Sequence, residues 1–172
     1  MFIAHAPSGY LLGSLLQNSN RFGAIMLACI AGAVAPDLDL LYFYLLDGRQ
    51  THHHRYFSHW PLLWLGLTAL ACLWRSVRRH STLASSTLAF ALAGVLHMLL
   101  DSLVGDIWWL APFRDQAYAL FSVPNRYQPW WLNFLLHWTF IVELAICLAA
   151  LMLYLRRRYH TGKETSPCPP SA

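Results

Sequence analysis

The chain has 172 residues, of which 57% are apolar and only 12% charged, whereas a soluble domain carries about 25% charged residues. Together with a mean hydropathy of +0.40, this excludes an ordinary soluble domain and predicts one all-α, membrane-embedded bundle of four to five helices, some short or re-entrant, over residues 1–158. The net charge of +4 comes mostly from Arg75, Arg78, Arg79 and Arg156–Arg158, which flank apolar runs; such clusters set topology and meet anionic lipid headgroups, and they leave no basic face for nucleic acid.

Residues 8–19 read as a short apolar helix ended by Asn18, Ser19 and Asn20. Residues 22–35 form a second, stopped by Pro36, and 40–46 a third apolar piece. The stretch 47–59 is polar and predicts a loop or membrane-surface segment. Residues 60–74 are helical and short for a span. Residues 82–104 and 132–155 are the clearest spans, since about 20 apolar residues cross a bilayer. Between them, 105–131 is a Trp- and Pro-rich loop whose Trp108, Trp109, Trp130 and Trp131 suit an interfacial belt. Residues 159–172 predict a disordered cytoplasmic tail. The cysteines Cys29, Cys72, Cys147 and Cys168 form no CxxC pair and read as small hydrophobes.

Seven ionisable residues interrupt this apolar chain: His5, Asp37, Asp39, His54, His59, His97 and Asp101. A charge in hydrocarbon costs at least ~2.5–3.5 kcal/mol, a cost that falls when imidazoles and carboxylates gather around one metal. The residue types suit a divalent cation, zinc first, in one or more copies. His97 and Asp101 are spaced i,i+4 and share a helix face. Asp37 and Asp39 follow a helix end at Pro36, and a helix-capping role cannot account for both; one carboxylate could bind a second metal or activate water. In the segment Thr51–His59, His54 and His59 are candidates for ligation or proton transfer. Arg55 is a candidate clamp for an anionic oxygen, with Arg114 a second; His52 and His53 read as solvated neighbours. Glu143 is the one acid in the last span and comes to a depth similar to that of His97, so it and His137 are further candidates. Asp47, Asp106 and Asp115 read as ordinary loop residues.

Eight of the twelve Lys and Arg residues (Arg21, Arg75, Arg78, Arg79, Arg156, Arg157, Arg158 and Lys163) fall on one side of the expected spans. The positive-inside rule makes that side cytoplasmic. The metal candidates then share the opposite, periplasmic side.

The ordered set His5 with Gly9, Pro36-Asp37-Leu38-Asp39, His54-Arg55-Tyr56-Phe57-Ser58-His59, His97 to Asp101, and Pro112-Phe113 resembles the YdjM-like family of bacterial membrane-bound metal-dependent hydrolases. It is distantly similar to zinc-dependent phospholipase C. Tyr56 and Trp60 depart from the small residues expected there, which bears on substrate shape. The resemblance implies an inner-membrane, metal-dependent hydrolase. The expected substrate is a lipid-like or phosphorylated ester drawn from the membrane. Asp37, Asp39, His54, His97 and Asp101 would hold metal, and His5 and His59 would complete the shell or shuttle protons. The rival readings are a metal-ion or proton transporter and a non-catalytic protein with a structural metal.

Overall fold

A computed structural model describes residues 3–16 and 22–164. The helices are α1 (His5–Leu16), α2 (Phe22–Val34), α3 (Asp39–Leu45), α4 (Pro61–Val77), α5 (Thr82–Asp101), α6 (Trp131–Leu135) and α7 (Phe140–Glu164). Among the described residues no strand forms; Ile107 and Tyr118 make one isolated antiparallel bridge. The all-α expectation holds.

Helix α5 is the hub, packed against α1, α2 and α4, while α7 packs on α1. The α2–α5 core is made of small side chains, Cys29, Ala33, Ala89 and Ala93, with Ile25 beside them. Small residues let backbones approach closely, the usual basis of helix packing in lipid. Gly9 does the same between α1 and α2: a Cβ there would stand 2.7 Å from the Cys29 carbonyl oxygen and 2.8 Å from the Ala33 Cβ. That approach fixes His5, one turn earlier, against the end of α2. Ser81 caps α5 by accepting from the Ala84 N–H at 3.2 Å.

Among the described residues, two helical stretches are long and apolar enough to cross a membrane: 23–45, in which α2 runs through a 3-10 turn into α3, and 82–101. The first was expected as separate pieces broken at Pro36. Proline instead sits in the first turn of the 3-10 segment Ala35–Leu38, where its missing N–H costs nothing. The expected span 132–155 is corrected. The chain breaks between α6 and α7, and α7 carries Glu143, Arg156 and Arg157 within its first 18 residues. Before the break, Asn133 holds α6 in place. Its side chain accepts from the N–H groups of Arg126 and Tyr127 and donates to Asn125, Tyr127 and Trp130, so α6 is tied to the preceding loop.

Helix α7 continues to Glu164, past the expected tail boundary at 159; residues 165–172, and the expected stop at Asn18–Asn20, lie outside the described residues. Leu63, Leu67, Leu70 and Leu73 on α4 and Leu144, Leu148, Leu151 and Leu155 on α7 are exposed.

Candidate metal centre

Helix α1 begins at His5 rather than three residues after it, so His5 is the first helical residue and is buried. Its ring stacks on that of His97, with centroids 3.7 Å apart. His97 and Asp101 project from one face of α5, Nε2 to Oδ2 3.1 Å. Two successive 3-10 turns, His53–Arg55 and Phe57–His59, wind the polar segment so that His54 and His59 return to the same side, ring centroids 4.8 Å apart. Two indoles pin this segment: Trp60 Nε1 donates to the Arg55 carbonyl and Trp64 Nε1 to the Ser58 carbonyl. Trp60, a departure from the family pattern, is thus a strut.

Three of the histidines are oriented alike. His97 Nδ1 donates to the Ala33 carbonyl at 2.7 Å. His54 Nδ1 donates to the Asp106 carbonyl at 3.1 Å. His59 Nδ1 meets Asp39 Oδ2 at 2.5 Å. Each partner is an acceptor, so each Nδ1 carries a proton, and in the neutral ring each Nε2 is left with a lone pair. Those Nε2 atoms converge on two carboxylates. His54 Nε2 is 3.5 Å from Asp101 Oδ2, His59 Nε2 3.7 Å from Asp37 Oδ1, and His97 Nε2 3.7 Å from Asp37 Oδ1. His5 Nε2 lies 3.1 Å from Asp101 Oδ1 and 3.9 Å from Asp37 Oδ2.

Most of these separations are too long for hydrogen bonds. They match donors sharing a cation: atoms 2.0–2.2 Å from one tetrahedral zinc stand about 3.3–3.6 Å apart. Ligand atoms of Asp37, His59, His97 and Asp101 all lie within 4.8 Å of one another. His59 and His97 are 0% exposed and Asp101 1%, and the Nε2 atoms of His5, His59 and His97 are buried without a hydrogen-bond partner. Buried polar atoms are seldom left so; those of His59 and His97, in one donor group with Asp37 and Asp101, fit a divalent cation, and that of His5 lies beside it. A histidine bonded through Nδ1 to a carbonyl or carboxylate, with Nε2 presented inward, is also the usual form of a metal-binding histidine.

Burial pushes the pKa of His54 down to about 2 and that of His53 down to about 4, so both rings are neutral at neutral pH. His59 behaves oppositely. Burial opposes its charge, but the carboxylates of Asp37 and Asp39 outweigh that and raise it to about 9; a cation at Nε2 would take the place of that proton.

Asp39 does not stand where the sequence suggested. Residues i and i+2 of a helix or 3-10 turn point some 200–240° apart, so Asp37 and Asp39 approach His59 from opposite sides. Asp37 meets Nε2; Asp39 lies behind the ring, accepting from His59 Nδ1 and from Ser58 Oγ, each at 2.5 Å. Expected among the ligands, Asp39 joins neither donor group among the described residues; its Oδ2 positions His59, and its Oδ1 is buried without a hydrogen-bond partner. Glu143 joins neither donor group among the described residues; it accepts from the Ile3 N–H at 2.8 Å, anchoring the segment just before His5. His137 bonds Thr139 and joins no donor group among the described residues.

The sequence reading missed three residues. His53 is half-buried, and its donor atom lies within 4.8 Å of those of His54 and His59. Asp106 acts through its backbone carbonyl, which has no side-chain signature. Asp115 accepts from Arg55 Nη2 and from Trp108 Nε1, both at 2.7 Å. Arg55 stands 5.5 Å from the Trp108 ring centre and, with Arg114, lines a cavity of about 190 Å³ walled by Trp60, Trp108 and Pro112. Trp108 is therefore part of this cavity, and Trp109 donates to Ser102 Oγ; of the expected aromatic belt, Trp130 and Trp131 remain exposed.

Fold and site together define a helical membrane protein with a buried His/Asp donor cluster at one end of its bundle. A family model described as YdjM inner membrane protein matches residues 1–161. The chain belongs to the YdjM inner membrane protein family. No curated protein and no solved structure matches it.

Proposed function

We propose that this inner-membrane protein is a metal-dependent hydrolase acting on a phosphoester or other ester of a lipid-like substrate. The observation that carries the reading is the set of histidines held through Nδ1, with Nε2 turned onto Asp37 and Asp101 at cation-sharing distances. Asp37, His59, His97 and Asp101 would hold the ion, with His54 facing Asp101 beside it. A divalent cation held by such donors supplies Lewis acidity and brings the ionisation of water toward neutral pH.

The remaining residues have separate tasks. Asp39 and Ser58 fix the tautomer of His59. His5, with neither ring nitrogen hydrogen-bonded, is placed to accept a proton at Nε2. Arg55 and Arg114 bind the anionic oxygens of the substrate, with Asp115 and Trp108 holding the Arg55 guanidinium in place. The indoles of Trp60 and Trp108 exclude water from that cavity.

The donors gather where α1 and α4 begin and α5 ends. At the far end, Arg157 Nη2 lies 3.5 Å from the Ser14 carbonyl, and Arg75, Arg78 and Arg79 fall at or just past the last turn of α4. On the positive-inside rule this supports a multi-pass topology with the site facing the periplasm. The transporter reading is weaker, because the layer beyond His97 is filled by Cys29, Ala33, Ala89 and Ala93, small side chains that include no imidazole, carboxylate or amine.

The test is metal content followed by activity. Protein purified in detergent should hold zinc or another divalent cation, release phosphate or alcohol from model phosphoesters, and lose both properties on chelation. His97→Ala should lose bound metal with little loss of helicity. Wild-type protein that takes up no divalent cation would refute the reading. Metal retained without any hydrolysis across ester classes would favour a structural ion.

A further inference from the structure

We propose that the cluster holds a second divalent cation and that His53 is one of its ligands. This deepens the hydrolase reading and rests on it. The donors are too many for one ion: four imidazoles and two carboxylates already converge, and a tetrahedral ion takes four. They fall into two overlapping groups, Asp37 with His59, His97 and Asp101, and His53 with His54 and His59; within each group the ligand atoms lie within 4.8 Å of one another. His54 also faces Asp101 Oδ2 at 3.5 Å, so the two positions adjoin.

The sequence offered the Asp37/Asp39 pair as the source of a second position. Asp39 Oδ2 is taken by His59 Nδ1 and Ser58 Oγ, Asp39 joins neither donor group, and the surplus donor within reach of His54 and His59 is His53. The His53 ring centre is 4.0 Å from that of His54 and 5.5 Å from that of His59, although the motif H-R-x-x-[ST]-H begins only at His54. The ring stacks on that of His52, centroids 5.4 Å apart, and lies 5.9 Å from that of Phe43. His53 also presents a nitrogen to the cluster.

The experiment titrates chelator-stripped, full-length protein in lipid nanodiscs with zinc, counting bound ions by elemental analysis and calorimetry. Wild type is expected to bind two equivalents and His53→Ala one; His52→Ala, its neighbour, should keep two. With cobalt in place of zinc, His53→Ala should lose about half of the visible ligand-field absorption. His53→Gln, closer in volume, is the second variant should His53→Ala fail to fold, and it too is expected to bind one. Two equivalents in the His53 variants would overturn the assignment, as would one equivalent in wild type, which leaves the single-ion hydrolase reading standing. No binding in wild type would overturn both.

Discussion

Asp39 separates a positioning role from ligation, and its removal has a computable effect. Asp39→Ala deletes the acceptor of His59 Nδ1 and of Ser58 Oγ. Loss of such an outer partner lowers metal affinity by about 10–100-fold, or about 1.4–2.7 kcal/mol. Asp39→Asn keeps one carbonyl oxygen for the imidazole but loses the charge, so it should sit near the lower bound and Asp39→Ala near the upper. Each donor left buried and unpaired costs a further ~1–3 kcal/mol of stability, so the alanine variant should also melt earlier. The assay is competition for zinc against a chromophoric chelator, with Asp37→Ala as reference. Asp37 faces the Nε2 atoms directly, and its loss should take binding out of the measurable range. If Asp39→Ala matches Asp37→Ala, Asp39 is a ligand and the division of the two carboxylates is wrong. If Asp39→Ala binds like wild type, the hydrogen bond to His59 has no role in the site.

Gly105→Ala should weaken metal binding more than it weakens the fold, because the added Cβ would stand 2.7 Å from His54 Cε1 and 3.0 Å from the Asp101 carbonyl oxygen; zinc competition and thermal melts run side by side measure the two effects. Asn133→Ala should cost about 1–3 kcal/mol for each backbone N–H of Arg126 and Tyr127 left without its acceptor, and limited proteolysis should find new cleavage within 124–133; an unchanged digestion pattern would remove Asn133 from its role. A reporter active only in the cytoplasm, fused after Ala172, should be active, and one active only in the periplasm should be silent; the reverse would turn the site toward the cytoplasm without altering its chemistry.

Side-chain chemistry was readable in the sequence, whereas backbone partners and rotational position were not. His97 and Asp101 could be paired by i,i+4 spacing alone, and His5, His54, His59 and Asp37 by their cost in an apolar chain. The carbonyls of Ala33 and Asp106 decide which nitrogen of His97 and His54 faces inward, and a carbonyl is the same in every residue. The division between Asp37 and Asp39 depends on a 3-10 turn at Pro36, and there a run of helix was expected to end. His53 looked solvated because its neighbours are polar; two consecutive 3-10 turns carry it back under His54. The expected span over 132–155 failed for a related reason. Its hydropathy is continuous, but Asn133 finds several partners in the loop before it, and the chain turns between α6 and α7.

Charge balance ties the number of ions to the kind of ester. Asp37, Asp39 and Asp101 place three negative charges in the cluster, and a buried excess of either sign is costly. One divalent cation leaves that set at −1 with His59 neutral, a poor environment for a phosphoester and a better one for an uncharged carboxylic ester. Two leave it at +1, which attracts an anionic oxygen, and Arg55 and Arg114 extend the positive field into the adjoining cavity. The zinc titration therefore bears on the substrate as well as on His53. Two equivalents predict that phosphoesters outcompete neutral esters and that Arg55→Ala and Arg114→Ala raise KM for the former only. A single equivalent with a preference for phosphoesters would mean that the arginines alone overcome the carboxylates. In that case Arg55→Ala should abolish the preference rather than weaken it.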